Sequence, residues 1–250
     1  MLHFEPDTKT FQELCGRANA IPVYTSLLSD QLTPVSAFDR VASKARHAFL
    51  LESVVGGEKI ARYSFLGADP VALIETRGNT VTKTTAEGTK TYTTEDPLKE
   101  LETLLAGFKA AHPPRLPRFL GGAVGYAAYD IVRLYENLPS PPQDDRGLPD
   151  MQFGIYDQMV IFDHVSKLVH VVVHAHVEPG GDTDKAYEVA CERIRVVANQ
   201  LGEIRTDPIR PLVPAKPGDV KCESTFTREQ FEAAVCRCKA YIVAGDAFQI

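Results

Sequence analysis

Residues 152–177 read QFGIYDQMVIFDHVSKLVHVVVHAHV and carry the strongest β-strand signal of the chain. Two runs rich in β-branched and aromatic residues, 152–164 and 168–177, flank the short segment 165–167. Such runs favour strands, and a short break between them favours a hairpin turn. The segment therefore predicts two long antiparallel strands and a fold with substantial β-sheet.

The rest of the chain alternates between amphipathic helix signals and short strand signals. Hydrophobic residues recur at helical spacing after Asp, Thr or Pro, and Thr-rich runs are separated by tight turns. We predict helices over residues 8–20, 33–46, 96–112 and 184–201 and from 227, and short strands over 48–54, 62–67, 71–75 and 80–85. Short strands joined by tight turns usually pair antiparallel. The predicted fold class is therefore α+β, with mostly antiparallel sheets flanked by helices.

A proline-rich segment, residues 206–224, divides the chain. It contains four prolines and no hydrophobic periodicity, which is typical of a linker. After it, Thr227 and Gln230 have the spacing of a capping box, which begins a helix. We predict a domain over residues 1–205, a linker over 206–224, and the start of a second domain over 225–250. Because the chain stops in an apolar run, we expect it to be the front portion of a longer protein.

Composition and charge exclude several classes of protein. Lys and Arg total 27 against 33 Asp and Glu, a net charge of -6, whereas nucleic acids and anionic membranes need a basic surface. No apolar run approaches the roughly 20 residues that span a bilayer. The N-terminal residues lack the features of a signal peptide, so the five cysteines are expected to be reduced thiols. We expect a cytoplasmic protein that binds neither nucleic acid nor membrane.

Three histidines in the second strand run, His170, His174 and His176, share one face because side chains alternate along a strand. His170 and His174 are about 13 Å apart along a strand, too far to share a metal. A zinc site would then rest on His174 and His176 alone, which is a poor ligand set. The pattern predicts instead a solvent-facing histidine surface, with the intervening valines packed inward.

The glycine-rich segment GGAVGY, residues 121–126, does not have the spacing of a dinucleotide-binding or phosphate-binding loop. Glycines at such a position favour a close approach of two backbones. The segment therefore excludes a dinucleotide-binding fold.

The sequence LLES at residues 50–53 places Glu52 and Ser53 next to an apolar strand. Burying a carboxylate and a hydroxyl costs several kcal/mol unless both are hydrogen-bonded. The partner could be Arg62 or Lys59 of this chain, or an ammonium or amide group of a ligand. The residues alone leave both interpretations open.

Several motifs occur in the order found in anthranilate synthase component I, and together they resemble that family over nearly the whole chain, from about residue 8 to 250. They are LLES at 50–53, RYSFLG at 62–67, FLGGAVGY at 119–126 followed by Tyr129, Asp130 and Arg133, and YIVAGDAFQ at 241–249.

The resemblance implies an N-terminal regulatory, tryptophan-sensing domain followed by a chorismate-binding catalytic domain. It implies that Glu52 and Ser53 lie at the site of the feedback inhibitor L-tryptophan, together with Leu51. The resemblance also implies that Arg62 and Tyr63 belong to this site, because their strand would line the same pocket. A carboxylate and a hydroxyl are suitable acceptors for an α-ammonium group.

The resemblance also implies a reaction in tryptophan biosynthesis. Chorismate and ammonia would give anthranilate and pyruvate, with the ammonia supplied by a separate glutamine amidotransferase subunit, component II. Mg²⁺ would hold the substrate, and its ligands would lie beyond Ile250, so no metal site is expected within this chain and the fragment is expected to be inactive alone. Gln249 occupies a position where water-using relatives have Lys, and a neutral amide does not deprotonate water.

Three alternatives remain at this stage. Aminodeoxychorismate synthase component I shares much of this architecture but makes a folate precursor. A stand-alone amino-acid-sensing module would have no catalytic domain. A zinc-binding scaffold on the histidine strand would require stoichiometric metal in the purified protein.

Overall fold

The computed structural model describes residues 2–28, 30–52, 62–203 and 223–250. The chain divides into two compact units, residues 1–204 and 205–250. In the first unit the helices are α1 (Thr8–Cys15), α2 (Pro34–Ala42), α3 (Pro97–Ala106) and α4 (Thr183–Gly202), with a 3₁₀ helix at Tyr129–Leu134. The strands are β1 (Ala20–Leu28), β2 (Ala48–Leu51), β3 (Tyr63–Ala68), β4 (Ala72–Arg77), β5 (Thr80–Thr85), β6 (Gly88–Thr93), β7 (Gly122–Ala127), β8 (Met151–Tyr156), β9 (Gln158–Asp163) and β10 (Leu168–His176). The second unit contains α5 (Arg228–Ala244).

The strands of the first unit form two sheets. The first has the order β1-β10-β9-β3-β2 and the second the order β6-β5-β4-β8-β7. Every pair of neighbouring strands in both sheets is antiparallel. The predicted α+β class with mostly antiparallel sheets is confirmed.

The predicted hairpin is present, but residues 152–164 are not one strand. β9 and β10 pair antiparallel, and Lys167 in the turn between them has a φ of 57°. The first run is broken at Asp157, where the chain passes from β8 in the second sheet to β9 in the first. The prediction of a single strand was wrong because hydrophobic alternation continues across the break, whereas hydrogen-bonding partners change there.

Both faces of the first sheet are buried. One face packs against α1, α2 and α4 around Val171, Val173 and Ala175 of β10. The other face packs around Val172 against Tyr156 of β8 and the segment that carries Leu116 and Leu120. A strand in the middle of this sheet therefore has no face open to water.

The histidines of β10 follow from this packing. His170 and His174 are only 7% and 8% exposed, so the prediction of a solvent-facing histidine surface was wrong for these two residues. His176, at the end of the strand, is exposed. The prediction that the valines pack inward is confirmed.

Three predicted helices end earlier than the sequence suggests. α1 ends at Cys15, α2 at Ala42 and α3 at Ala106, not at residues 20, 46 and 112. For α1 and α3 the reason is that the chain after α3 pairs with the start of β1: Ala110 forms a parallel bridge with Ala20, and the amide of Ala111 donates to the carbonyl of Ala20 at 3.0 Å. Backbone groups engaged in this bridge are not available to a helix.

The glycine-rich segment forms β7 and approaches its neighbours closely, as predicted. A Cβ atom on Gly125 would overlap the carbonyl oxygen of Gln152 on β8, and one on Gly121 would lie 2.8 Å from the carbonyl oxygen of Tyr156. Only glycine allows these two backbones to lie so close.

The second unit begins with the predicted capping box. The hydroxyl of Thr227 accepts from the amide of Gln230 at 3.3 Å, and the Gln230 side chain accepts from the amide of Thr227 at 2.9 Å. Most of the predicted linker, residues 206–224, lies outside the described residues, and the domain boundaries stay a prediction. Among the residues that the structure describes, no helix combines the length and hydrophobicity required to cross a bilayer.

Candidate functional site

Four residues that the motifs assign to effector binding lie on or next to β2 and β3 of the first sheet: Leu51, Glu52, Arg62 and Tyr63. Leu51 is the last residue of β2 and stands opposite Phe65 of β3 in the register. Leu51 is 46% exposed, and Glu52 is exposed as well. The expectation that the carboxylate of Glu52 is buried was therefore wrong, because β2 ends one residue before it. Ser53 lies outside the described residues.

Arg62, next to β3, is bound to another carboxylate. It donates to the two oxygens of Asp163 at 3.0 and 2.7 Å. The same carboxylate accepts from the amides of Val165 and Ser166 at 3.0 and 3.2 Å. Of the partners considered for Glu52, Arg62 is thus engaged with Asp163, while Lys59 lies outside the described residues.

Asp163 is buried, with only 5% of the residue exposed. The contacts with Arg62, Val165 and Ser166 compensate its negative charge. Burial raises the pKa of its carboxyl, but the hydrogen bonds from Arg62 and Ser166 outweigh burial and hold the pKa well below its ordinary value. Asp163 therefore stays ionised at neutral pH and fixes the position of the Arg62 guanidinium.

An aromatic surface lies beside this ion pair. The rings of Tyr63 and Phe65 are 6.0 Å apart, and the rings of Phe65 and Phe119 are 5.3 Å apart. The guanidinium of Arg62 lies 4.9 Å from the centre of the Tyr63 ring, within the range of a cation–π contact. Burial raises the pKa of the Tyr63 hydroxyl. We call the partly buried rings of Tyr63, Phe65 and Phe119, together with the exposed Leu51, the aromatic surface.

The aromatic surface has the chemistry to hold a planar apolar group. Aromatic rings at these distances favour further edge-to-face or offset stacking. Glu52 and Arg62 are sequence neighbours of Leu51 and Tyr63 in this surface. Glu52 supplies a hydrogen-bond acceptor, and Arg62 supplies a positive charge. Phe65 and Phe119 belong to quoted motifs but were given no role from sequence. Phe65 is brought beside Leu51 by the pairing of β2 with β3, and Phe119 joins through its ring contact with Phe65.

Ser64 does not share this surface, although it lies between Tyr63 and Phe65. Its side chain is 1% exposed, and its hydroxyl lies 2.7 Å from Nε2 of His164. Its neighbour across the sheet, Phe162, belongs to the core under the helices. The alternation of side chains along β3 therefore turns Ser64 to the opposite face.

Gln249 belongs to the second unit. It follows α5, which ends at Ala244 and is capped by Gly245 with a φ of 84°, a left-handed conformation that glycine adopts readily. The side chain of Gln249 is exposed. Its predicted role toward a nucleophile stays a prediction.

The described residues contain no group of three or more His, Cys, Asp or Glu side chains that could hold a metal ion. His174 and His176, the candidate zinc pair, differ in environment. Burial lowers the pKa of His174, whereas His176 Nε2 lies 3.5 Å from the carboxylate of Asp157. The donor set in this part of the chain does not fit a zinc or magnesium centre.

Comparisons with known proteins agree with the motifs. The family model described as chorismate binding enzyme matches residues 46–250. Anthranilate synthase component 1 of Acetivibrio thermocellus is 37% identical over 99% of this chain and 50% of its own length. A probable anthranilate synthase component 1 of Schizosaccharomyces pombe is 34% identical over 98% of this chain and 47% of its own length.

A crystal structure of anthranilate synthase component I from Streptococcus pneumoniae TIGR4 matches with a TM-score of 0.49 and 26% identity, over 88% of this chain and 46% of that one. The chain spans about half the length of the curated relatives that it matches. The family model and the curated relatives confirm the resemblance to anthranilate synthase component I that the motifs indicate. Because the family model covers most of its residues, the chain belongs to the family of chorismate-binding enzymes.

Proposed function

We propose that this chain is the N-terminal part of an anthranilate synthase component 1, a cytoplasmic lyase that converts chorismate and ammonia into anthranilate and pyruvate. The observation that carries the proposal is the near-complete coverage of this chain by relatives of that name from a bacterium and a yeast. In tryptophan biosynthesis this reaction commits chorismate to the pathway. A protein containing only these 250 residues would have no activity of its own.

A second protein would supply the ammonia. The name component 1, which the relatives carry, supports a partner component. We infer that the partner is a glutamine amidotransferase, component 2, which releases ammonia by hydrolysing glutamine. With ammonium salts in the assay, the longer protein would then form anthranilate without this partner.

We propose that L-tryptophan binds at the end of β2 and inhibits the enzyme. Glu52 and Ser53 would accept hydrogen bonds from its α-ammonium group, a charge-assisted contact on the carboxylate side. Leu51 and Tyr63 would pack against the indole ring, and the exposure of Leu51 leaves apolar area there to be buried by a ligand. Arg62, held by Asp163, would fix the orientation of the Tyr63 ring.

Gln249 is proposed to lie near the carbon of chorismate that the nucleophile attacks. Its amide donates and accepts hydrogen bonds but is not basic near neutral pH. It would orient ammonia, which is a nucleophile without further deprotonation, and would not activate water. This explains how the same fold could favour amination over hydroxylation.

Mg²⁺ is proposed for the longer protein only. A divalent cation would polarise the substrate and stabilise a departing oxygen as a Lewis acid. We propose that its ligands lie in residues after 250, as the resemblance to the family implies.

Genetic complementation tests the proposal. The complete reading frame should restore growth without tryptophan to a bacterial strain that lacks anthranilate synthase component 1. A reading frame cut after Ile250 should not. Restored growth only in a strain that lacks aminodeoxychorismate synthase would instead assign the protein to folate biosynthesis.

A further inference from the structure

A small cavity of about 210 Å³ lies at the opposite end of β10 from the hairpin turn. It is formed by the start of β1, the segment after α3, the start of β7, the end of β8 and the end of β10. Its apolar walls are Ala20, Leu105, Phe108, Ala110 and Ile155, and its polar side chains are Tyr156, Asp157, His174 and His176. The cavity has no residue in common with the aromatic surface.

His174 is the buried polar group in the wall of this cavity. Only 8% of the residue is exposed. Burial lowers the pKa of its imidazole, so the ring is neutral at pH 7 and has one donor and one acceptor nitrogen. The carbonyl of Asp157 accepts the backbone amide of His174 at 2.7 Å, which fixes the backbone that carries the ring. In either tautomer the neutral imidazole keeps one nitrogen as an acceptor.

Gly121 leaves space in front of the ring. A Cβ atom at this position would lie 2.9 Å from Cε1 and 3.0 Å from Nδ1 of His174, closer than side chains normally pack. Any other residue would press on the imidazole and fill part of the cavity. The glycine therefore preserves both the position of the ring and the opening beside it.

The charges around the cavity are already compensated. The carboxylate of Asp157 accepts two hydrogen bonds from Arg193, at 2.7 and 2.8 Å, and lies 3.5 Å from Nε2 of His176. The His176 ring packs on Phe108 with 5.3 Å between ring centres. Among the described residues of the wall no charge is left to attract an ion. A ligand of this cavity would be neutral.

We infer that this cavity binds a neutral, planar aromatic molecule that carries one N–H or O–H donor, with the donor directed at the imidazole of His174. An engineered apolar cavity of about 150 Å³ accepts benzene, so the present volume suits a ring system of one or two rings. The apolar walls would bury the ring, and the single acceptor would select for the donor. This inference does not depend on the proposed function.

Indole and benzofuran test the inference, because they have the same shape and only indole has an N–H donor. Each is titrated into the ¹⁵N-labelled 250-residue chain while NMR follows the amides of Gly121 and Gly122 and the ring of His174. Indole should shift these signals and bind about 2- to 12-fold more tightly than benzofuran, the range expected for one hydrogen bond. Equal affinities, no binding, or shifts only at Leu51 and Tyr63 would overturn the inference.

Single substitutions test whether the preference for indole over benzofuran comes from His174. His174→Phe keeps an aromatic ring but removes the acceptor, so indole should lose its advantage over benzofuran. His112→Phe, at an exposed histidine outside the cavity, should leave the advantage unchanged. If His174→Phe does not fold, Ala110→Leu serves instead. Ala110 is exposed in the wall of the cavity, so the larger side chain should narrow the cavity and weaken the binding of both probes. Unchanged binding of both probes to Ala110→Leu would contradict the assignment.

Discussion

Arg193 of α4 and Asp157 form a two-point ion pair, with nitrogen–oxygen distances of 2.8 and 2.7 Å. Asp157 is the residue between β8 and β9, where the chain leaves one sheet and enters the other. The pair therefore ties the long helix to the junction of the two sheets. Burial raises the pKa of Asp157, but hydrogen bonds from Arg193 and His176 outweigh burial and hold the pKa well below its ordinary value.

Removing Arg193 should destabilise the fold. Arg193→Leu leaves the carboxylate of Asp157, which is 5% exposed, without its main partner. Breaking a buried pair from one side costs about 3–5 kcal/mol. Since Arg193 is itself partly exposed, we expect a loss of about 2 kcal/mol or more in the free energy of unfolding, measured by urea denaturation.

Arg195→Leu is the matched control, two residues along the same helix. Arg195 pairs with Glu192 at the surface, where both side chains are at least half exposed. Such a pair contributes about 0–1 kcal/mol. Equal effects of the two substitutions would contradict the role given to the pair of Arg193 and Asp157.

The protein should become less stable as the pH is lowered, because the buried histidines must then take up protons. Burial lowers the pKa of both His170 and His174. A group whose pKa is lower in the folded state stabilises the fold above its unfolded pKa, here about 6.5, and this contribution is lost as the pH falls through the folded pKa. The free energy of unfolding should therefore decrease from about pH 6.5 downward, by up to about 1.4 kcal/mol per pH unit for each histidine.

Urea denaturation between pH 8 and pH 5 measures this slope. His174→Phe should flatten it, because one of the two buried imidazoles is gone. His112→Phe, at the exposed position, should have the slope of the original chain. A slope that does not change in His174→Phe would show that His174 does not resist protonation.

The fold could largely be predicted from the sequence, since hydrophobic alternation and turn residues act locally. The hairpin of β9 and β10 and the capping box of Thr227 and Gln230 follow from such local patterns. The break at Asp157 could not be predicted, because hydrophobic alternation continues across it while the partner strands change there. The burial of His170 and His174 depends likewise on the second sheet and the segment with Leu116, which cover the face that alternation alone leaves open.

The candidate site could be predicted only in part. The motifs pointed to Leu51, Glu52, Arg62 and Tyr63, and the pairing of β2 with β3 brings Leu51 beside Phe65. The motifs could not show that Glu52 is exposed or that the Arg62 guanidinium forms an ion pair with Asp163. Both facts depend on where β2 ends and on which strand lies next to β3.

Ser53→Ala should weaken inhibition by L-tryptophan. The substitution removes one proposed acceptor of the α-ammonium group, a loss of about 2- to 12-fold in inhibitor affinity for one hydrogen bond. Turnover without tryptophan should stay near that of the unsubstituted enzyme. Ser43→Ala, at an exposed serine after α2, should change neither quantity. Reduced turnover with unchanged inhibition would assign Ser53 to catalysis or to the fold.

Gln249→Lys in the complete protein should shift the choice of nucleophile from ammonia toward water. A lysine amine can accept a proton from water when its pKa is lowered, whereas an amide cannot. We expect slower anthranilate formation and a new hydroxylated product, isochorismate or salicylate, detected by liquid chromatography with mass spectrometry. Unchanged amination with no hydroxylated product would remove Gln249 from the reaction site.

The most direct test of the central claim is the product formed by the complete purified protein. Chorismate, ammonium chloride and Mg²⁺ are supplied, and the products are identified by mass spectrometry and by the fluorescence of anthranilate. The account predicts anthranilate and pyruvate in equal amounts, with the rate reduced by L-tryptophan. Formation of aminodeoxychorismate in place of anthranilate, or no consumption of chorismate, would contradict it.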